Sequence, residues 1–206
     1  MYGFVAKLLM SKQLEFGQGH IKLLEQPICI LPSTFVEILM KQSMISREEM
    51  LKNYLEAWKA GYIFMYNVVS RYKLNTPDER YRVAMDTISL SGMGDYKTEE
   101  FIPFSHTRFT VIENPLALRF HPSDSPVDHV LRGFNAGGGT PVHARIMNCV
   151  ELECAAVNGK QCRFVNASID ILKTLPEDIV KSQLDVDFLI REEQKFLESF
   201  GHNVPV

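Results

Sequence analysis

Apolar residues recur at helical spacing between Leu51 and Tyr72, where Leu51, Tyr54, Leu55, Trp58, Tyr62, Met65, Val69 and Tyr72 share one face. Ser46 with Glu49 three residues on is a capping box, in which each side chain satisfies a free backbone N–H of the other. A long helix is therefore predicted from there to about Tyr72. Thr76-Pro77 with Glu79 opens another in the same way, ending near Gly92-Met93-Gly94. Thr174 with Glu177 caps a short helix, and Asp187 to Phe200 forms a last one stopped by Gly201. Elsewhere the pattern shortens to strand length. Leu14-Glu15-Phe16, Gly17-Gln18-Gly19 and Ile21 to Leu24 read as a hairpin with glycine at its turn. Pro27 to Leu31 reads as a strand, and Pro32-Ser33 opens a helix to about Met40. Phe101–Phe104 and Thr107–Glu113 are strand-like, the second alternating Phe109 and Val111 with polar neighbours. After loops at Pro115 and Pro122–Pro126, a helix carries Gly133-Phe134-Asn135-Ala136-Gly137. A strand from Ile146 to Ala156, a turn at Asn158-Gly159 and a returning strand from Gln161 to Val165 complete the pattern. Strands and helices mix without a βαβ rhythm, so the expected class is α+β, an antiparallel sheet packed against several helices.

Length and composition narrow this further. A chain of 206 residues, 46% hydrophobic and 23% charged, suits a single domain over 1–206 with a real core. Its expected parts are a helical portion with a short hairpin (1–95), a sheet-and-helix portion bearing the cysteine hairpin (96–170) and a helical extension (171–206). A net charge of −3 without a Lys/Arg stripe argues against direct nucleic-acid binding, which needs several cations on one face. Gly3 to Met10 is apolar but interrupted by Lys7, and reads as an amphipathic helix rather than a signal peptide. No run approaches the ~18–20 apolar residues of a membrane span. With no export signal in view, a cytoplasmic location is expected, and there a cysteine cluster more often means metal than disulfide. Three of the cysteines, Cys149, Cys154 and Cys162, fall within fourteen positions; Cys29 stands apart.

The segment Glu151 to Phe164 carries the candidate chemistry. Thiolates on two arms of a hairpin can hold Zn²⁺ at ~2.3 Å if the turn brings them opposite each other. A two-residue turn at Asn158-Gly159 would pair Ala155 with Cys162 and leave Cys154 on the other face. A three-residue loop, Val157-Asn158-Gly159, with Gly159 left-handed, would pair Cys154 with Cys162. Glu151 and Cys154 also face opposite ways in a regular strand, so Glu151 joins a metal only if the strand bulges or ends between them. The competing readings are a surface Glu151 with core cysteines, or a cross-strand disulfide.

Gly133-Phe134-x-Ala136-Gly137, Glu151-x-x-Cys154 eighteen residues after Gly133, and Gly159-x-x-Cys162-x-Phe164 together resemble the pattern of 4-vinyl-reductase-type domains. That superfamily includes the ligand domains of phenol-responsive bacterial activators, stand-alone archaeal proteins, a bacteriochlorophyll-synthesis protein and Golgi transport-particle subunits. The motif covers about forty residues, and the hairpin and Pro-led helix near 14–40 resemble the family's opening more loosely. The resemblance implies a structural zinc bound by Glu151, Cys154, Cys162 and a ligand five residues before Gly133. The family's phenol sensors have cysteine there; this chain has Asp128, followed by His129, so the resemblance leaves either of these as the fourth ligand. Lys160 or Arg163 is expected to offset the anionic excess.

The resemblance also implies an apolar pocket between the Trp58 helix and the sheet, lined by Trp58, Tyr62, Phe109, Val111, Phe134 and Cys149. The small residues Gly133, Ala136 and Gly137 are expected to let the Trp58 helix approach closely. Phenol specificity does not carry over, because Phe109 and Val111 occupy the strand where those sensors place a tryptophan. The expected function is binding or sensing of a hydrophobic small molecule. The alternatives are a tetrapyrrole vinyl reductase, for which no dinucleotide or flavin motif is visible, and an assembly subunit. A homodimer is expected from the apolar stripes Phe4, Leu8, Leu9 and Leu189, Phe196, Phe200.

Overall fold

The computed structural model describes residues 9–206, without the side chains at positions 39, 42 and 43. The chain divides into two compact units, one ending at Val36 and the other spanning Glu37–Val206. The first contains a three-stranded antiparallel sheet of β1 (Leu14–Gly17), β2 (His20–Leu23) and β3 (Gln26–Ile28), in that order. Gly17 pairs with His20 across the turn, and Gly19 takes the positive φ of 79° the turn requires. Helix α1 (Ser33–Ser43) follows β3.

The second unit is built on α2 (Arg47–Tyr72), whose start is capped by the Ser46 side chain accepting from the Glu49 N–H, one half of the predicted capping box. Its end is set by Lys73 in the left-handed region at φ 50°. Helix α3 (Pro77–Ile88) carries the full Thr76/Glu79 capping box. A four-stranded antiparallel sheet follows in the order β4-β5-β7-β6, made of β4 (Asp95–Ile102), β5 (His106–Ile112), β6 (Asn148–Glu153) and β7 (Gln161–Ala167). Between β5 and β6 lie α4 (Pro115–Arg119) and α5 (His129–His143); the short α6 (Ala155–Asn158) joins β6 to β7. The chain continues with α7 (Ile169–Leu172), α8 (Glu177–Gln183) and α9 (Val186–Ser199). Thr174 does not cap α8 as expected, because its hydroxyl donates back to the Ile171 carbonyl. This is the α+β class, antiparallel sheet against helices. Among the described residues no helix is long and apolar enough to cross a membrane.

Helices α2 and α5 are pressed together because glycine removes the side chains between them. A Cβ at Gly133 would meet the Tyr54 carbonyl, one at Gly137 the Trp58 carbonyl, and one at Gly61 the Phe134 carbonyl. The small-residue face predicted at Gly133, Ala136 and Gly137 is thus matched by Gly61 on the opposite helix. Strand register sends Tyr96, Phe109, Val111, Cys162, Phe164, Asn166, Cys149 and Glu151 to one face of the sheet. That face meets α5: Asn135 donates to Tyr96 Oη at 3.5 Å, and Asn166 donates to the Asn135 carbonyl at 3.0 Å. His143 is buried there too, its Nε2 2.8 Å from Thr107 Oγ1. The opposite face carries Arg163, ion-paired to Glu99 at 2.9 Å.

Candidate metal centre

Strand β6 changes parity where the chemistry needs it. Glu151 pairs with Phe164 while Glu153 pairs with Arg163, so Leu152 is an extra residue and a bulge separates the two glutamates. Glu151 therefore points inward with Cys149, and Glu153 points to the Arg163 face. A surface Glu151 is ruled out, since the residue is 1% exposed. The predicted irregularity between Glu151 and Cys154 is present, and all three clustered cysteines are free thiols rather than a disulfide.

Neither the two-residue turn nor the three-residue loop that would pair Cys154 with Cys162 is formed. Ala155 to Asn158 instead make one helical turn, with the Val157 and Asn158 N–H groups both donating to the Cys154 carbonyl. Gly159 closes it at φ 69°, the left-handed conformation predicted for it. The Asn158 side chain then accepts from the Lys160 and Gln161 N–H groups, which ties down the turn. Helical closure prevails because it satisfies these backbone groups locally. The chain still returns with Cys162 beside Cys154, as the metal reading requires.

Four potential ligand atoms converge, one each from Asp128, Glu151, Cys154 and Cys162, all within 4.8 Å of one another and all from buried residues. Asp128 occupies the N-cap position of α5, yet its carboxylate makes no capping bond. An N-cap Asp ordinarily contributes ~1 kcal/mol by accepting from the first turn. Here the carboxylate is turned to the cluster, where Cys162 Sγ lies 3.1 Å from its Oδ2. His129, the alternative fourth ligand, is buried but is not among the four.

Sequence reasoning missed two neighbours. Asn114 is fully buried, and its Nδ2 donates to Asp128 Oδ2 at 2.9 Å and to Cys162 Sγ at 3.5 Å. Its Oδ1 accepts from the Leu116 and Ala117 N–H groups, capping α4. The signal was present as Asn114-Pro115, a cap followed by an N1 proline, but a cap alone does not announce a second bond. Arg132 is the other, a buried cation on α5 whose charge favours the ionised forms of both Asp128 and Glu151. The expected compensators do not serve: Lys160 is exposed and Arg163 is committed to Glu99.

The four groups perturb one another's ionisation. Burial pushes the Asp128 carboxyl up, and pushes Glu151 well above the usual carboxylate range, with Asp128 adding repulsion. The contact with Cys162 holds Cys154 down to about 6, and the same contact drives Cys162 up. Both Glu151 carboxylate oxygens and Asp128 Oδ1 are buried without a hydrogen-bond partner. Uncompensated buried carboxyl oxygens are costly, and a divalent cation could take the place of the missing donors. The donor set, two thiols and two carboxyls, suits Zn²⁺, and an ion held by all four would have no open position for substrate.

The residues expected to line a pocket fall into three groups. Trp58 and Tyr62 stack at 5.6 Å, with Phe196 of α9 edge-on to both. Phe109 stacks on Phe164 and Tyr96, with Val111 and Cys149 on the same sheet face. Phe134 lies against Phe64 at 6.4 Å. Trp58 Nε1 donates to the Met147 carbonyl at 2.9 Å, which orients the indole.

No family model matches this chain, and no curated protein matches it. Among solved structures, it is similar to the phenol-responsive sensory domain of the transcription activator PoxR, crystallised with phenol. The TM-score is 0.70 at 15% sequence identity, over 82% of this chain and 90% of that one. At that identity the likeness is one of fold.

Proposed function

We propose that this chain is a sensory or carrier domain of the 4-vinyl-reductase type, which binds a hydrophobic small molecule and is held in shape by one structural zinc ion. The observation that carries the reading is the buried Asp128/Glu151/Cys154/Cys162 cluster with its partnerless carboxylate oxygens. Asp128, rather than His129, is the fourth ligand in this proposal. The metal would tie the start of α5 to both arms of the β6–β7 hairpin, so its binding free energy is folding free energy. The sheet surface of Phe109, Val111 and Cys149 is the proposed ligand wall, although it is buried, as are Trp58 and Tyr62, which have Phe196 packed against them. That same covering favours a second reading, an assembly subunit whose core is filled.

The protein is proposed to work as a cytoplasmic homodimer. On the final helix Leu189 is buried and Phe196 packs on Trp58 and Tyr62, while Phe200 is exposed and remains available to an interface. Phe4 and Leu8 lie outside the described residues. Leu9 is described and exposed, and with Met10, Phe16, Ile30, Leu31 and Phe35, all exposed, it makes up the proposed interface.

Native mass spectrometry of protein purified without chelator tests metal and ligand together. Wild type should carry one zinc per chain and Cys154→Ala should lose it. Equal zinc in both, or none in either, rejects the metal. Zinc-loaded protein that takes up no apolar or aromatic compound favours the assembly reading.

A further inference from the structure

Strand β6 is an edge of the sheet, so one side of its backbone lacks a strand partner. Side chains from three helices occupy that side. The Cys149 N–H donates to Tyr54 Oη of α2 at 2.9 Å, and the Cys149 carbonyl accepts from Arg132 of α5 at 3.3 Å. At Glu151, the Gln183 carboxamide of α8 makes both bonds that a neighbouring strand would make. The Glu151 N–H donates to Gln183 Oε1 at 2.8 Å, and Gln183 Nε2 donates to the Glu151 carbonyl at 2.7 Å.

The clasp falls one residue before the bulge at Leu152, the irregularity that turns Cys154 to the same side as Glu151. An edge strand with free N–H and C=O groups beside a bulge is prone to shift register. Closing both groups of Glu151 steadies the backbone from which its carboxylate is presented. Gln183 is itself anchored. Its backbone carbonyl lies 3.5 Å from the Arg132 guanidinium, and Arg47 donates to the Lys181 carbonyl at 2.7 Å at the same end of α8.

We propose that Gln183 is a positioning residue for the metal centre, coupling metal occupancy to docking of the segment Glu177–Gln183 on β6. The proposal rests on the metal reading above and adds its regulation. Docking of α8 holds the Glu151 backbone, and a metal holds the Glu151 carboxylate, so each event favours the other by the same free energy. This makes α8 the segment whose docking follows metal occupancy.

The test compares wild type with Gln183→Met, which keeps the side-chain length and loses both hydrogen bonds. Zinc affinity is read by competition with a chromogenic chelator, and amide exchange is followed at Glu151 and across Glu177–Gln183. Gln183→Met should weaken zinc binding about tenfold, the lower end of the effect of removing a supporting group around a metal site. Zinc should slow exchange across α8 in wild type and leave it unchanged in the variant. Wild-type zinc affinity in Gln183→Met, or the same exchange response in both proteins, overturns the proposal while the metal reading stands. A wild type that takes up no zinc overturns both.

Discussion

Gly137 and Gly138 are adjacent on α5, yet alanine at the two positions should change stability in opposite directions. At Gly137 a new Cβ would collide with the carbonyl oxygen, carbonyl carbon and Cα of Trp58, all backbone atoms of the facing helix. Backbone cannot rotate aside, so α2 and α5 must separate along a contact that also carries Gly133 and Gly61. Overpacking of this kind costs ~1–3 kcal/mol, and a backbone obstacle places Gly137→Ala at the upper end of that range. At Gly138 the nearest atoms are 3.8 and 4.0 Å away, ordinary contact distances. Only the helix preference then remains, and Gly138→Ala should stabilise by ~0.5–1 kcal/mol. For a chain of this size each ~1 kcal/mol moves the melting temperature by ~2–4 °C. Gly137→Ala should therefore melt roughly 6–12 °C lower and Gly138→Ala a few degrees higher. Gly139→Ala falls between, because its obstacle is the Asn166 side chain, which can turn away by giving up its bond to the Asn135 carbonyl. Thermal and urea unfolding of metal-saturated and chelator-treated protein provide the measurement. A Gly137→Ala variant as stable as wild type, or a Gly138→Ala variant less stable than Gly137→Ala, refutes the close-packed helix pair.

Glu193 of α9 is fully buried and accepts from Asn148 at 3.0 Å, and burial pushes its carboxyl up to about 8 from an ordinary 4.5. A raised acid stabilises the fold fully below its unfolded value and loses that contribution as pH climbs through its folded value. Between those two values wild type should weaken relative to Glu193→Gln by up to ~1.4 kcal/mol per pH unit. Parallel stability curves for the two proteins across that window would show that Glu193 is not the group responsible. For the homodimer, sedimentation at micromolar concentration should give twice the chain mass, and the double variant Phe16→Asp, Ile30→Asp should give the monomer. A wild type that sediments as a monomer removes that reading.

Features controlled by local physics were legible along the chain. Ser46 with Glu49 and Thr76 with Glu79 start helices where they do because a cap satisfies orphan N–H groups within its own turn. Gly133, Ala136 and Gly137 signalled a close helix contact because small residues at helical spacing expose backbone, whatever lies opposite. That Glu151, Cys154 and Cys162 would cluster was readable from their spacing and the family pattern they resemble. The parity problem at Glu151 was also visible, but its solution was not, since the bulge at Leu152 depends on how β6 pairs with β7. Folding settled the helical turn that joins Cys154 to Cys162. It also turned Asp128 away from capping its own helix, and set Arg132 rather than Lys160 or Arg163 to act on the carboxylates. Asn114 and Gln183 reach the same centre from an α4 cap and from the end of α8. Their roles are bonds between groups far apart in the chain, made when the sheet edge and the helices close on each other, and no local pattern encodes a partner that distant.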